Sequence, residues 1–143
     1  MGITIYSTNV SNDLGAFGFQ NLRRTVSKLV PCKEIKEHYE YLLDHLDDIF
    51  LHKEKAREYD KKLGDLFEKH GKKYRKVMNF LWASDVEAEF GYGTAKKLLE
   101  IIGDYDDKTV YGYAGWGDKA MKFKDFKAIL KDAAESKRNW GWR

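Results

Sequence analysis

From Glu34 to Leu63 the chain carries neither glycine nor proline, and an apolar seam runs through this stretch at steps of four and three. Its members are Ile35, Tyr39, Leu42, Leu46 and Ile49. That spacing stacks side chains on one face of an α-helix. The same register continues through Lys53, Ala56, Asp60, Leu63, Phe67 and His70, with two charged residues interrupting it. The pattern predicts one long helix, or two in close succession bending near His52–Glu58. Gly64 weakens the helix without ending it, and Gly71 is the expected C-terminal stop.

The single proline, Pro31, separates this helix from an earlier one. Proline disfavours the helical conformation of the residue before it and is suited to a helix start. Ahead of it, Phe19, Leu22, Val26, Leu29 and Val30 fall on one helical face, with Arg23, Arg24 and Lys28 off that stripe. Ile3 and Ile5 alternate with polar neighbours as in a short strand. Ser11-Asn12-Asp13, followed by Gly15 and Gly18, reads as a turn. A third helical pattern holds Tyr74, Val77, Met78, Leu81 and Trp82. Thr94–Ile102 is a short helix closed by Gly103. Residues 104–118 are rich in glycine and aromatics, with a brief strand expected at 109–113. Phe123, Phe126, Ile129, Leu130 and Ala133 form the last amphipathic helix, and Asn139-Trp-Gly-Trp-Arg143 repeats the aromatic-glycine theme. The expected fold is mainly α: a single domain over residues 1–143, a bundle of about five helices with a short N-terminal strand and room for a small β element.

The net charge of +3 hides segregation. Residues 34–50 carry a net −5, residues 53–76 a net +5, residues 85–107 a net −5 and residues 117–143 a net +4. Such blocks attract one another within a fold or present opposite faces to partners. Uniform basicity, the usual footprint of a nucleic-acid binder, is absent. Cys32 is the only cysteine, so no internal disulfide forms, which fits a reducing compartment. No apolar run approaches the ~20 residues needed to cross a bilayer. The start Met-Gly-Ile-Thr-Ile-Tyr lacks the pattern of a signal peptide. The expected location is cytoplasmic.

The candidate sites begin with Asp85, Glu87 and Glu89, carboxylates at alternate positions ahead of Gly91 and Gly93. A calcium loop draws ligands from positions 1, 3 and 5, but needs glycine at 6 and a bidentate glutamate at 12. Here those positions hold Phe90 and Lys96. The expected role of the loop is a helix–helix connection, with Ser84 or Asp85 capping an amide, and no metal or cofactor is assigned to it. A metal-assisted hydrolase using Asp85, Glu87, Glu89 and Asp104 is a third-ranked alternative. His38, His45 and His52 recur every seven residues, ~10.5 Å apart along a helix, too far for two to share an ion. They read as a solvated column beside the seam. Cys32 lacks a base in sequence reach. No nucleophile elbow, zinc-protease motif, phosphate-binding glycine loop or paired-cysteine motif occurs, and no catalytic residue is assigned.

The remaining signals point to binding. Arg57, Lys61, Lys62, Lys72, Lys73, Arg75 and Lys76 are the candidate contacts to nucleic-acid phosphates. They are interleaved with Glu54, Glu58, Asp60, Asp65 and Glu68, as on a solvated helix. Tyr111, Tyr113, Trp116, Trp140 and Trp142 sit in glycine-bearing segments expected at the surface, where tyrosine and tryptophan serve as interface anchors. With Asp85, Glu87 and Glu89 they are the candidate protein contacts.

Met1-Gly-Ile-Thr-Ile-Tyr, Phe19-Gln-Asn-Leu-Arg23 and Asn79-Phe-Leu-Trp-Ala-Ser-Asp-Val-Glu-Ala88 resemble segments of small uncharacterised proteins of Gram-positive bacteria and their phages. Ala88 stands where that group carries glycine. The resemblance covers part of the chain and implies no activity. It implies a phage- or prophage-encoded accessory protein, such as an inhibitor of a host defence system of the CRISPR-Cas kind. The function expected from the whole sequence is non-catalytic binding to a macromolecule, most simply a protein, with nucleic acid as the alternative partner.

Overall fold

The computed structural model describes residues 2–143. Six α-helices, one 3-10 helix and a four-stranded antiparallel sheet are found among them. The mainly helical class is as expected, with more helices and more sheet than the sequence patterns indicate.

The sheet is built from both ends of the chain. β1 (Gly2–Tyr6) pairs with β2 (Ser11–Gly15), so the residues expected to form a turn form a strand instead. Only Leu14 of β2 is buried, opposite Ile3. The rest of β2 is polar and lies on a sheet edge, which is why its pattern does not read as a strand. On its other side β1 pairs with a terminal strand, Trp140–Trp142, which in turn pairs with a short strand at Ala88–Phe90. In chain order these are β4 and β3, and the sheet order is β2-β1-β4-β3.

α1 (Ala16–Leu29) leads to Pro31, as expected. The long seam then divides into three helices. α2 (Lys33–Asp44) ends at His45, α3 (Leu46–Leu51) ends at His52, and α4 runs from Lys53 to Leu81. Both breaks fall on histidines with non-helical backbone angles, and each histidine ring bonds the carbonyl four residues back. α4 passes through Gly64 and Gly71 without stopping, so the third predicted helix is its C-terminal part. Packing of Leu66, Tyr74, Val77 and Met78 outweighs the ~1 kcal/mol that each helical glycine costs.

α5 (Tyr92–Ile102) closes at Gly103, whose positive φ of 58° is the left-handed turn that glycine permits. No side chain caps its N-terminus at Gly91. Ser84 instead accepts the amide of Val86 within the preceding turn. The expected strand at 109–113 reduces to a single bridge between Val110 and Lys122. α6 (Phe123–Ser136) begins with Asp125 accepting the Lys122 amide.

The core joins all these elements. Trp140 and Trp142 are fully buried and stand among Phe19, Phe80, Phe90 and Phe126, with ring centroids 4.7–6.2 Å away. Gly141 between them allows β3 to approach closely: a Cβ there would lie 2.1 Å from the Ala88 carbonyl oxygen. Residues placed in sequence as surface contacts are thus the centre of the core. Two tryptophans spaced by two residues put both rings on one sheet face. Tyr111 is buried as well. Its hydroxyl donates to Asp107 at 2.7 Å and meets the Thr25 hydroxyl at 3.0 Å, and burial pushes its pKa up to about 12. Tyr111 anchors the irregular segment to α1.

Candidate protein-binding groove

Arg23 lies off the predicted apolar stripe of α1, yet it is buried. Its Nη2 donates to the main-chain oxygens of Phe80, Leu81 and Ala83, at 3.1 Å and 2.7 Å for the first and last. Its Nη1 donates to Asp85 at 2.9 Å. The guanidinium also faces the rings of Phe19 and Trp142 at 5.1 and 5.3 Å. The Phe80 and Leu81 carbonyls are orphan acceptors at the end of α4, where a cation also meets the negative end of the helix dipole, and Ala83 lies just past its C-cap. Arg23 therefore fixes the exit of α4 and the start of the acidic loop.

Above Arg23 lies a groove of about 430 Å³. The start of α1, the end of α2 with α3, and residues 81–85 line it. Its interior is apolar through Leu42, Leu43, Leu46 and Leu81. Two phenylalanines on its walls point to solvent: Phe17 is 84% exposed and Phe50 74%. Leu51, beside Phe50, is 78% exposed, and Val86, beside Asp85, is 68% exposed. Large apolar side chains grouped around an open groove mark a contact surface more strongly than the same residues scattered singly.

The surroundings of the groove are acidic. Asp85 lines it with a side chain that is 90% exposed. Asp44 ends α2, Asp47 and Asp48 lie in the first turn of α3, and Glu87 is exposed beyond Asp85. The nearby cations are engaged: Arg23 with Asp85, Arg24 with Glu40 and Asp44, and Lys55 with Asp48. The hydrogen bond from Lys55 holds the Asp48 carboxyl below its ordinary range.

No protein-family model, curated protein sequence or solved structure matches this chain. Its functional reading therefore rests on the site itself.

The structure separates the candidate residues. Asp85 belongs to the groove. Glu87 is exposed, and Glu89 is exposed on β3, where its Oε1 accepts a 3.4 Å bond from Asn139. Trp140, Trp142 and Tyr111 are withdrawn as contacts because they are buried. Tyr113 and Trp116 are exposed, with ring centroids 4.7 Å apart, beside and within the 3-10 helix Ala114–Lys119 and outside the groove. No three of Asp85, Glu87, Glu89 and Asp104 come together as ligands, and among the described residues no cluster of His, Cys, Asp or Glu could hold a metal ion.

Lys72, Lys73, Arg75 and Lys76 line a second recess, whereas Arg57, Lys61 and Lys62 do not. Among the described residues no helix is long and apolar enough to cross a membrane. The histidine column also divides. His45 and His52 are exposed, but His38 is buried, stacked on Tyr59 with centroids 3.8 Å apart. Its Nε2 contacts the Tyr59 carbonyl at 3.1 Å, while the Tyr59 hydroxyl donates to the His38 carbonyl and accepts from Trp82 Nε1. This clamp joins α2 to α4 behind the groove.

Sequence reasoning missed Phe17, Phe50, Leu51 and Arg23. The first three left a usable signal: each is a large apolar residue off the seam of its own amphipathic helix.

Proposed function

We propose that this protein is a non-catalytic binding module that captures a partner protein through the groove between α1 and α3. The observation that carries this reading is the outward exposure of Phe17 and Phe50 on the walls of an apolar groove. Exposing two such side chains in the free protein forgoes about 1.5–3 kcal/mol each that burial would return. A docked partner recovers that energy.

The partner chemistry follows from the rim. Asp85 lines the groove and Asp44 ends the helix beside it, paired with Arg23 and Arg24 respectively, while Asp47, next to the lining Leu46, and Glu87, close to Asp85, are exposed acids with no ion-pair partner among the described residues. An amphipathic helix with an apolar stripe and basic flanks fits this arrangement, because helix-in-groove recognition seats an apolar face and leaves the flanks to meet the rim. The resemblance of three segments to phage and Gram-positive accessory proteins supports a setting in which the captured protein belongs to the host, such as a defence component.

The test is titration calorimetry with a designed amphipathic helix of Leu and Lys and with its Leu and Glu counterpart. The basic helix is expected to bind, and Phe17→Asp or Phe50→Asp to weaken it at least about tenfold, the equivalent of ~1.4 kcal/mol. Equal binding of both helices, or indifference to both substitutions, would remove the proposal.

A further inference from the structure

The second recess lies between α4 and α5 and carries a different chemistry. It is open, about 670 Å³ in volume, and lined by Lys72, Lys73, Arg75 and Lys76 from α4 and Lys97 from α5. Glu68 is the one carboxylate that lines it. Elsewhere on α4, Lys55 reaches Asp48 and Lys69 reaches Glu34, both at 2.7 Å, while Lys53, Arg57, Lys61 and Lys62 are spread along the helix outside the recess. Among the described residues, Lys72, Lys73, Arg75 and Lys76 have no carboxylate within 4.0 Å, and Lys97 reaches only Glu100, at 3.6 Å. Lys72 and Lys76 are also an i,i+4 like-charge pair, which destabilises the helix.

The cations are held by packing instead. The ammonium groups of Lys73 and Lys97 lie 5.4 and 5.8 Å from the centre of the Tyr74 ring. The Lys76 ammonium rests against Gly93, where a Cβ would come within 2.7 Å of it. A concentration of positive charge that the fold neither neutralises nor uses is suited to an anion from outside.

We infer that this recess binds the sugar-phosphate backbone of double-stranded nucleic acid, without reading sequence. Lysine is depleted in protein–protein contact surfaces, whereas phosphate contacts are made chiefly by lysine and arginine. Tyr74 is buried beneath the lysines and leaves no free aromatic face on which an unpaired base could stack. The recess takes its α4 residues from Phe67 to Lys76 and the groove begins on α4 only at Leu81, so the two sites share no residue and can be tested independently.

The experiment is fluorescence anisotropy with a labelled DNA duplex of about 20 base pairs, titrated between about 50 and 200 mM salt. If the five cations each displace one counterion, the log–log salt slope is about −4.5, and affinity falls about 500-fold over that range. Lys72→Gln with Lys76→Gln reduces the slope by about 1.8. Arg57→Gln with Lys61→Gln removes the same charge from α4 outside the recess and leaves the slope unchanged. Phe17→Asp leaves duplex binding intact. Absence of binding at about 50 mM salt overturns the inference. So does equal loss in the two double variants, which would indicate net charge alone. A polyglutamate chain that binds as tightly as the duplex also overturns it, in favour of an acidic protein.

Discussion

Replacing Arg23 with methionine tests how the molecule holds its central loop. The methionine fills much of the space but donates nothing. The carbonyls of Phe80 and Leu81 then lose a charged donor in a buried setting, while Ala83 and Asp85 can turn to water. A hydrogen bond to a charged group contributes about 1.5–3 kcal/mol, so two uncompensated losses amount to about 3–6 kcal/mol. For a chain of this length ~1 kcal/mol corresponds to about 3 °C, giving a fall in Tm of about 9–18 °C by calorimetry. Asp85→Asn is the control. Its carboxylate is 90% exposed, so losing the ion pair costs under ~1 kcal/mol. The reasoning is wrong if Arg23→Met costs less than ~1 kcal/mol, or if Asp85→Asn matches it.

Three further outcomes are expected. Trp142→Ala lowers stability by about 3–5 kcal/mol in urea unfolding, because the ring is fully buried, whereas Trp116→Ala, half exposed on the 3-10 helix, stays within ~1 kcal/mol. Gly64→Ala, with open space around its Cβ in mid-helix, raises stability by about 0.5–1 kcal/mol, while Gly141→Ala lowers it by several times that through the clash with Ala88, both read from thermal melts. Burial holds the His38 pKa below its ordinary value, against the opposing hydrogen bond to the Tyr59 carbonyl and with Lys62 and Asp60 acting in opposite senses. The unfolded chain therefore binds this proton more readily, so stability present at pH 7.5 declines as pH falls below ~6.5. Glu34, Asp48 and Asp132 have lowered pKa values and release their contributions only at lower pH, below ~4.5. Between pH 7.5 and 5.5 the urea midpoint should fall for the wild type and fall less for His38→Asn.

The parts of the fold legible in sequence are those governed by local periodicity. Phe19, Leu22 and Val26 on α1, and Phe126, Ile129 and Ala133 on α6, bury the faces their spacing indicates. Gly103 ends α5 because positive φ is a local requirement. What was not legible depends on pairing across the chain. β2 is polar, and only its partners Ile3 and Ile5 make it a strand. Trp140-Gly-Trp142 resembles an exposed loop until β1 and β3 flank it, and no local pattern reveals those neighbours. Arg23 counts as a surface cation until the end of α4 supplies it with carbonyls. The acidic loop was legible as a poor calcium site from Phe90 and Lys96. Its actual role, with Asp85 as a groove wall and Ala88–Phe90 as a strand, required the fold.

The central claim is that the groove seats a basic amphipathic helix of a partner protein. Photo-crosslinking tests it most directly. A benzophenone amino acid is placed at position 17, 50 or 116, the protein is exposed to a bacterial cell extract, and the crosslinked peptides are sequenced. Adducts at positions 17 and 50 alone, mapping to one partner segment with an apolar helical stripe and Lys/Arg flanks, are the predicted result. Adducts only at 116, or a partner segment that is acidic or lacks helical periodicity, would contradict it.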